Sequence, residues 1–546
     1  MSSVRRIRVE LPTGEFREIP ISLDNRSLAD TLATHGLPLN TRCGQRGLCR
    51  GCEVELCQGA LKLNGRVAFA PAIIQACQGR LTDEVSIRIS ERSRAEHRPL
   101  VAETFEIDIP YALQPLFEPK PGERDTGFAV DIGTTTVVVL IVDLVTGEVL
   151  SRASGFNEQI RFGDNVITRI EAARNPRDLS ALQGAIVKET VQPLLMRACA
   201  AARRPFERIA GGTIAGNTTM LHLLIGEDPT SLGIAPFIPR FIKGRRISAA
   251  DLDLDSNGLL PESPIQLLPG IAAYIGADIL GGIYASGMAY DSVPSLLVDI
   301  GTNGEIVLQN CGNLAACATA AGPAFEGCGL CCGTRAREGA VSDLSLTLNP
   351  FRLEARTIGQ VPMSRATGLC GSAYVDFLAT GKKSGLLNST GRFNAVAWET
   401  VPSEYRLHKG GKRMLSLTGT NGANALRISE VDVALLLQAK AAIGAGIEIL
   451  LETAGIRAAD LGRVYLAGGF GLHLNVANAI AIGILPGIRE EQVRVVGNTA
   501  LAGALMALLD RKSIEEMECL RTRVQVIELN LADNFENCYI EHLMLS

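Results

Sequence analysis

The sequence predicts a multidomain α/β and α+β chain: a small N-terminal sheet domain, an extended linker, and a two-lobed α/β body. Three observations predict it. Cys43, Cys49 and Cys52 crowd into one glycine-rich loop, with Cys77 further on. Pro99, Pro110, Pro115, Pro119 and Pro121 punctuate a charged segment that has no hydrophobic periodicity. The pattern strand, Asp-Ile-Gly-Thr, strand then occurs twice, at Asp131 and at Asp299. The expected divisions are 1–92, 93–125 (linker), 126–290 and 291–546.

At 546 residues the chain exceeds what one hydrophobic core supports, so several domains are required. It is 47% hydrophobic and 20% charged, ordinary values for a globular protein. A net charge of −5 with no long basic run gives nucleic acid or an anionic membrane no electrostatic purchase. No apolar h-region follows Met1, and the most apolar long stretch, Val431 to Leu451, is interrupted by Asp432, Gln438, Lys440 and Glu448. A cytoplasmic location and no membrane span are therefore expected. In a reducing compartment 14 cysteines do not build a disulfide framework, and clustered ones point to metal.

Arg5 to Ile21 reads as two short strands around Pro12-Thr13-Gly14, and Leu28 to His35 as a short helix. The cysteine spacing is C-x5-C-x2-C-x24-C. An iron–sulfur cluster needs thiolates converging on one point, and glycine lets the backbone wrap closely around it. Zinc and plain buried thiols are the alternatives. A structural zinc site would more often carry two CxxC knuckles, and only Cys49-x2-Cys52 is present. Cys57 follows a strand-like run outside the loop. The spacing resembles that of β-grasp ferredoxins with a [2Fe–2S] centre, the first gap being five residues as in the adrenodoxin-like branch. That resemblance assigns Cys43, Cys49, Cys52 and Cys77 as ligands.

From Glu91 to Arg124 the chain reads as extended, with one short strand over Thr104 to Ile109. The apolar run Phe128 to Ile132 then enters Asp131-Ile132-Gly133-Thr134-Thr135-Thr136, and a β-branched run leaves it. A tight turn of this kind can aim backbone N–H groups at a phosphate while its acid faces a metal ion. The polar stretch Phe156 to Asn165 leads into a helix over Val166 to Ala173. A further helix over Leu179 to Ala200 should kink or break at Pro193. Ile209 to Met220 reads as a strand ending in Gly-Asn and opening a helix.

The second half repeats the plan. Leu296 to Leu308 is the second hairpin, Ser429-Glu430-Val431-Asp432 reads as a capping box for a long helix to Ala454, and Arg463 to Gly471 is a strand entering a glycine-rich turn. This order implies an internal duplication and two related lobes facing each other across a cleft. Cys311, Cys317, Cys328, Cys331, Cys332 and Cys370 lack a ferredoxin spacing and are read as structural thiols. His222, on an apolar helix, is read as a core or surface histidine. No G-x4-G-K-[ST] is present, which disfavours a Walker-type ATPase.

Two Asp-x-Gly-Thr hairpins and a late strand–Gly-Gly turn resemble the acetate kinase, sugar kinase, Hsp70 and actin superfamily, an actin-like or ribonuclease H-like ATPase body. The resemblance implies a first phosphate loop at Asp131, Gly133, Thr134 and Thr135, and a second at Asp299, Gly301, Thr302 and Asn303. Gly468, Gly469 and Phe470 match its adenosine loop. Asp131 and Asp299 would then hold Mg²⁺ through water, and the Gly and Thr positions would bind ATP phosphates. Glu305 and Glu326 are both candidates for orienting the attacking water, with ordinary polar positions as the alternative.

A ferredoxin domain, a linker and this ATPase body together resemble the reductive activators of corrinoid enzymes, over essentially the whole length. Ala215-Gly-Asn-Thr-Thr-Met, Leu268-Pro-Gly-Ile-Ala and Ala321-Gly-Pro-Ala-Phe-Glu-Gly add to the match. The resemblance implies ATP-assisted transfer of one electron from the cluster to a Co(II) corrinoid protein, restoring Co(I). It also implies a separate low-potential electron donor, and it is compatible with a homodimer. An ATP-dependent donor to another low-potential enzyme, and a small-molecule kinase with a redox-sensing ferredoxin domain, are the competing expectations.

Overall fold

The computed structural model describes the chain apart from residues 1–4, 12, 22–25, 40–51, 90–92, 94–99, 103–104, 108–112, 164, 255–257, 328, 335, 337, 410, 420–425, 469–473 and 546. The N-terminal domain is a mixed five-stranded sheet. Strand Arg6–Glu10 pairs antiparallel with Phe16–Pro20 and parallel with Val85–Ile89; Glu53–Gln58 and Ala72–Gln75 complete the order. The alternating burial of Ile7 and Val9 sends one face onto the helix Leu28–Thr34, whose Leu28 and Leu32 join Val54, Leu56, Ile74 and Ile87 in the core. Ser27 caps that helix by accepting from Asp30 N. A hairpin, a helix and a parallel return beside the first strand make this a β-grasp sheet.

In the expected linker, Leu100–Ala102 and Phe105–Ile107 form an antiparallel pair, one strand more than the sequence indicated. Gln114 N and Leu116 N then donate to Leu509 O and Leu508 O.

The described chain divides into two compact units: Met1–Arg161 with Ile170–Ser292 and Ala500–Thr522, and Phe162–Arg169 with Val293–Thr499 and Arg523–Ser546. Each unit contains a sheet wound in one way. In the first, the strands run Val149–Phe156, Thr136–Asp143, Thr126–Ile132, Ile209–Gly216, Pro264–Leu267. In the second they run Asn313–Thr319, Gly304–Asn310, Ser295–Ile300, Arg463–Ala467, Val493–Gly497. Both sequences place three antiparallel strands in hairpin order and then two parallel ones, the ribonuclease H-like winding. The central strands are buried on both faces, so they read as unbroken Val/Ile/Leu runs rather than alternating ones. The duplication inferred from the hairpins is thus a duplication of sheet topology.

Ala500–Thr522 packs within the first unit. Thr213 Oγ1 donates to Ala504 O (2.7 Å) and Tyr284 Oη to Ser513 Oγ (3.0 Å), and Gly503 lies so close to Gly281 that a Cβ there would meet the Gly281 backbone at 2.5 Å. The helix expected to kink or break at Pro193 is irregular there but does not break. Pro176–Ile186 runs through a π-helical turn, Val187–Val191, into Gln192–Ala202, and the wider turn absorbs the proline.

The capping box is present: Ser429 accepts from Asp432 N, and Asp432 accepts from Ser429 N, opening Glu430–Thr453. That helix has the length and apolar composition of a membrane span, yet 78% of its most apolar window is buried inside the unit, so its composition is that of a core helix. His222 is fully buried, with Nδ1 on Thr218 O (2.7 Å) and its ring stacked on Phe241. Burial lowers its pKa and keeps it neutral.

Candidate functional site

The first hairpin turns at Gly133, whose N–H donates to Thr136 O (3.0 Å). A Cβ at Gly133 would sit 2.6 Å from that oxygen, so the turn closes only around glycine. Asp131 stands opposite Val138 and beside Ala215 of the parallel strand. Thr134 and Thr135 are buried, and two asparagines fix the loop from outside it. Asn157, fully buried, donates Nδ2 to Gly133 O (3.0 Å) and its N–H to Thr135 O (2.9 Å). Asn217 donates Nδ2 to Thr134 Oγ1 (2.9 Å) while its Oδ1 caps the helix Thr218–Leu224. Close to Asn217 lies Asp278 in the first turn of Ala277–Ser286; a Cβ on Gly276 would meet both, at 2.6 Å and 2.7 Å. Burial pushes the Asp278 carboxyl up to about 6.

In the second hairpin Gly301 N–H donates to Asn303 O (3.0 Å). Asp299 stands directly opposite Glu305 and beside Ala467. Opposed residues of an antiparallel pair share a face, so the two carboxylates project from the same side of the sheet. Like charges so placed repel, and a cation between or beside them removes the repulsion. Thr302, buried, donates Oγ1 to Glu326 Oε2 (2.9 Å). Gly468 takes φ +90°, and a Cβ there would lie 2.6 Å from Ile300 O and 2.8 Å from Asp299 Oδ1. The glycine turn after Arg463–Ala467 therefore presses its backbone against the acid of the second hairpin, which a side chain would prevent.

Cys52 and Cys77 are both buried and are brought together by the sheet: Glu53 pairs with Gln75, and Ala76 N–H donates to Cys52 O (3.1 Å). Gln78 Nε2 lies 3.5 Å from Cys77 Sγ, a donor to that sulfur. Cys57 is set apart, half-buried, its pKa raised by burial and by Glu55. Paired buried sulfurs with a nearby N–H donor fit the half of a [2Fe–2S] ligand set that these two would supply. Cys43, Cys49, Gly469 and Phe470 lie outside the described residues.

Of the remaining cysteines, Cys317 and Cys370 are buried as expected of structural thiols. Cys331 is not: it is exposed, and its N–H (2.8 Å) and Sγ (2.9 Å) both donate to the carboxylate of Asp432. Its partner Cys332, with that carboxylate, holds Cys331 as a thiol. Asn157 and Asn217 were not assigned roles from sequence, although both fall in motifs that were singled out. Only the folded chain shows that they serve one loop.

Two descriptions of one family match adjacent stretches: the RACo middle region over residues 126–291, and the C-terminal domain of RACo, the ASKHA domain, over 293–546. The chain belongs to the RACo family. Among its relatives, the corrinoid activation enzyme RamQ of Eubacterium limosum is 29% identical over 609 aligned residues, covering 98% of this chain and 99% of that one. The [Co(II) methylated amine-specific corrinoid protein] reductase of Methanosarcina barkeri is 25% identical over 439 residues, 76% of each chain. The solved structure of a reductive activator for a corrinoid, iron–sulfur protein superposes with a TM-score of 0.73 at 28% identity, over 98% of both chains. The sheet of residues 295–497 accordingly lies in the matched ASKHA domain, and that domain fits ATP as ligand.

Proposed function

We propose that this RACo-family chain is an ATP-dependent reductive activator: it passes one electron to a corrinoid protein stalled as Co(II) and returns it to Co(I) for methyl transfer. The observation that carries this reading is similarity from end to end. A corrinoid activation enzyme and a solved reductive activator each match 98% of the chain, sheet domain included. The N-terminal domain (1–92), linker (93–125), middle domain (126–290) and C-terminal domain (291–546) would divide the work.

Cys43, Cys49, Cys52 and Cys77 would hold a [2Fe–2S] cluster, which supplies one electron at about −400 mV when its environment is that of plant-type ferredoxins. Burial of Cys52 and Cys77 keeps water from the sulfurs, and the Gln78 amide tunes one of them. The electron reaching the domain comes from a separate low-potential donor.

Gly133, Thr134, Thr135, Gly301, Thr302 and Asn303 would bind ATP phosphates. Asp131 and Asp299 would hold Mg²⁺ through water, with Gly468, Gly469 and Phe470 on the adenosine. Glu305 pairs directly opposite Asp299, which supports a place for it beside the Mg²⁺ that Asp299 would hold. Glu326 is occupied in holding Thr302, which favours Glu305 of the two for orienting water. Nucleotide acts here through different affinities for two states of the complex with the corrinoid protein, lowering the work of an uphill reduction.

The test is the anaerobic visible spectrum of a Co(II) corrinoid protein mixed with this chain and a low-potential reductant. The Co(I) band should appear with ATP·Mg²⁺ and should vanish in Asp299→Ala and in Cys49→Ser. An electron-transfer rate identical with and without ATP would sink the proposal.

A further inference from the structure

Away from the hairpins and the N-terminal cysteines, the C-terminal helix Phe535–His542 packs on the core helix Glu430–Thr453. Each contributes a pair of residues one turn apart: Glu448 and Glu452 from the core helix, Cys538 and His542 from the C-terminal one. Ligand atoms of Glu448, Glu452 and Cys538 all lie within 4.8 Å of one another. His542 Nε2 is 2.7 Å from Glu448 Oε2, and Asn534 Nδ2 reaches both Cys538 Sγ (3.2 Å) and Glu452 Oε1 (3.4 Å).

This arrangement is electrostatically unfavourable as it stands. Glu448 and Glu452 are like charges at i and i+4, which repel. They also sit toward the C-terminal end of a helix, where the macrodipole is negative, and the last turn carries no basic residue. Among the described residues the only ion pair to either is that of His542 with Glu448. Cys538 is buried, 2% exposed, and its sulfur faces both carboxylates within 4.8 Å. Two carboxylates and a thiol converging at this distance make a three-atom donor set.

We infer that Glu448, Glu452 and Cys538 form a site for a borderline divalent cation of the Zn²⁺ class, with His542 orienting Glu448 from outside the coordination sphere. One thiolate with two carboxylates suits Zn²⁺ and does not suit Mg²⁺ or Ca²⁺, which take oxygen donors. Binding replaces the thiol proton, which leaves to solvent, and water completes the four-coordinate set. The site joins the last helix to the core helix of the same unit. Lys440 already pins that terminus by donating Nζ to His542 O (2.6 Å) and Met544 O (2.8 Å).

The experiment uses the whole chain, purified anaerobically with its iron content measured and equilibrated with one equivalent of Zn²⁺. Elemental analysis should give about one zinc per chain. The zinc X-ray absorption edge should show a single sulfur neighbour at roughly 2.3 Å, the rest nitrogen or oxygen. Cys538→Ser should remove the sulfur neighbour. Glu452→Gln, at an exposed position where folding is safe, should reduce retained zinc, and His542→Gln should weaken binding by about 10–100-fold while keeping the sulfur. No retained zinc would overturn the inference. So would several sulfur neighbours, which mark the N-terminal cysteines, or a sulfur neighbour that survives Cys538→Ser.

Discussion

The two Asp-Ile-Gly-Thr hairpins share sequence, sheet position and parallel neighbour, yet they are braced by different chemistry. The first has one acid, Asp131, facing Val138, and its loop is held by the neutral amides of Asn157 and Asn217. The second has two opposed acids, Asp299 and Glu305, and its Thr302 is held by a third carboxylate, Glu326. Equal folds have thus been given unequal charge. In the proposed nucleotide site, the first hairpin would present N–H and hydroxyl groups to an anion and the second would gather cation around it.

The largest expected effects follow from that asymmetry. Asp299→Asn should lower ATP turnover by about 100-fold or more, the scale of removing one preorganised electrostatic group. Asp131→Asn should cost less, and only Asp299→Asn should markedly raise the Mg²⁺ needed for half-maximal turnover. Equal losses and equal Mg²⁺ shifts would break the comparison. The next contrast is in the glycines. Gly133→Ala places a Cβ 2.6 Å from Thr136 O and should impair both nucleotide binding and stability. The nearest atom to a Cβ on Gly301 is Asn303 O at 3.7 Å, an ordinary contact, so Gly301→Ala should leave the fold intact. Thermal midpoints of the two variants read the difference directly.

Much of this was legible in the sequence because strands buried on both faces leave unbroken apolar runs, and turns leave Gly and Asp. The capping box at Ser429 was visible for the same reason: a local hydrogen bond has a local signature. What sequence did not give was anything set by the third dimension. Asn157 serves Gly133 from 24 residues away, and Glu326 serves Thr302 across another 24. The return of Ala500–Thr522 to the first unit depends on Gly281 and Gly503 touching, a contact no single-helix pattern announces. The bond from Cys331 Sγ to the cap carboxylate of Asp432 spans 101 residues and likewise has no local signature.

A middle-sized pair of effects should separate stability from binding. Asn157→Leu leaves Gly133 O in a buried place without its side-chain donor, at about 1–3 kcal/mol. Its main consequence is a lowered thermal midpoint. Thr302→Val removes a hydroxyl from a charged acceptor that solvent can reach, so it should weaken ATP binding with little change in midpoint. If both variants lose stability and affinity in the same proportion, the braces are equivalent and the distinction between amide and carboxylate fails.

A last effect concerns the acid that the first lobe does keep near its loop. Asp278 has a folded-state pKa of about 6 against 3.8 for the free group, raised by burial. The folded form therefore holds a proton that the unfolded chain has released between those values. Below about pH 4 both states are protonated and the group contributes nothing. As pH rises toward 6 stability falls, and above 6 the full cost of the buried charge is present. The shift corresponds to at most about 3 kcal/mol. Asp278→Asn should flatten the decline between pH 4 and 6 and raise the denaturant midpoint at pH 7.5, without abolishing ATP binding. A pH profile parallel to that of the native chain would show that Asp278 ionises freely, and that the first lobe is no more averse to charge at its loop than the second.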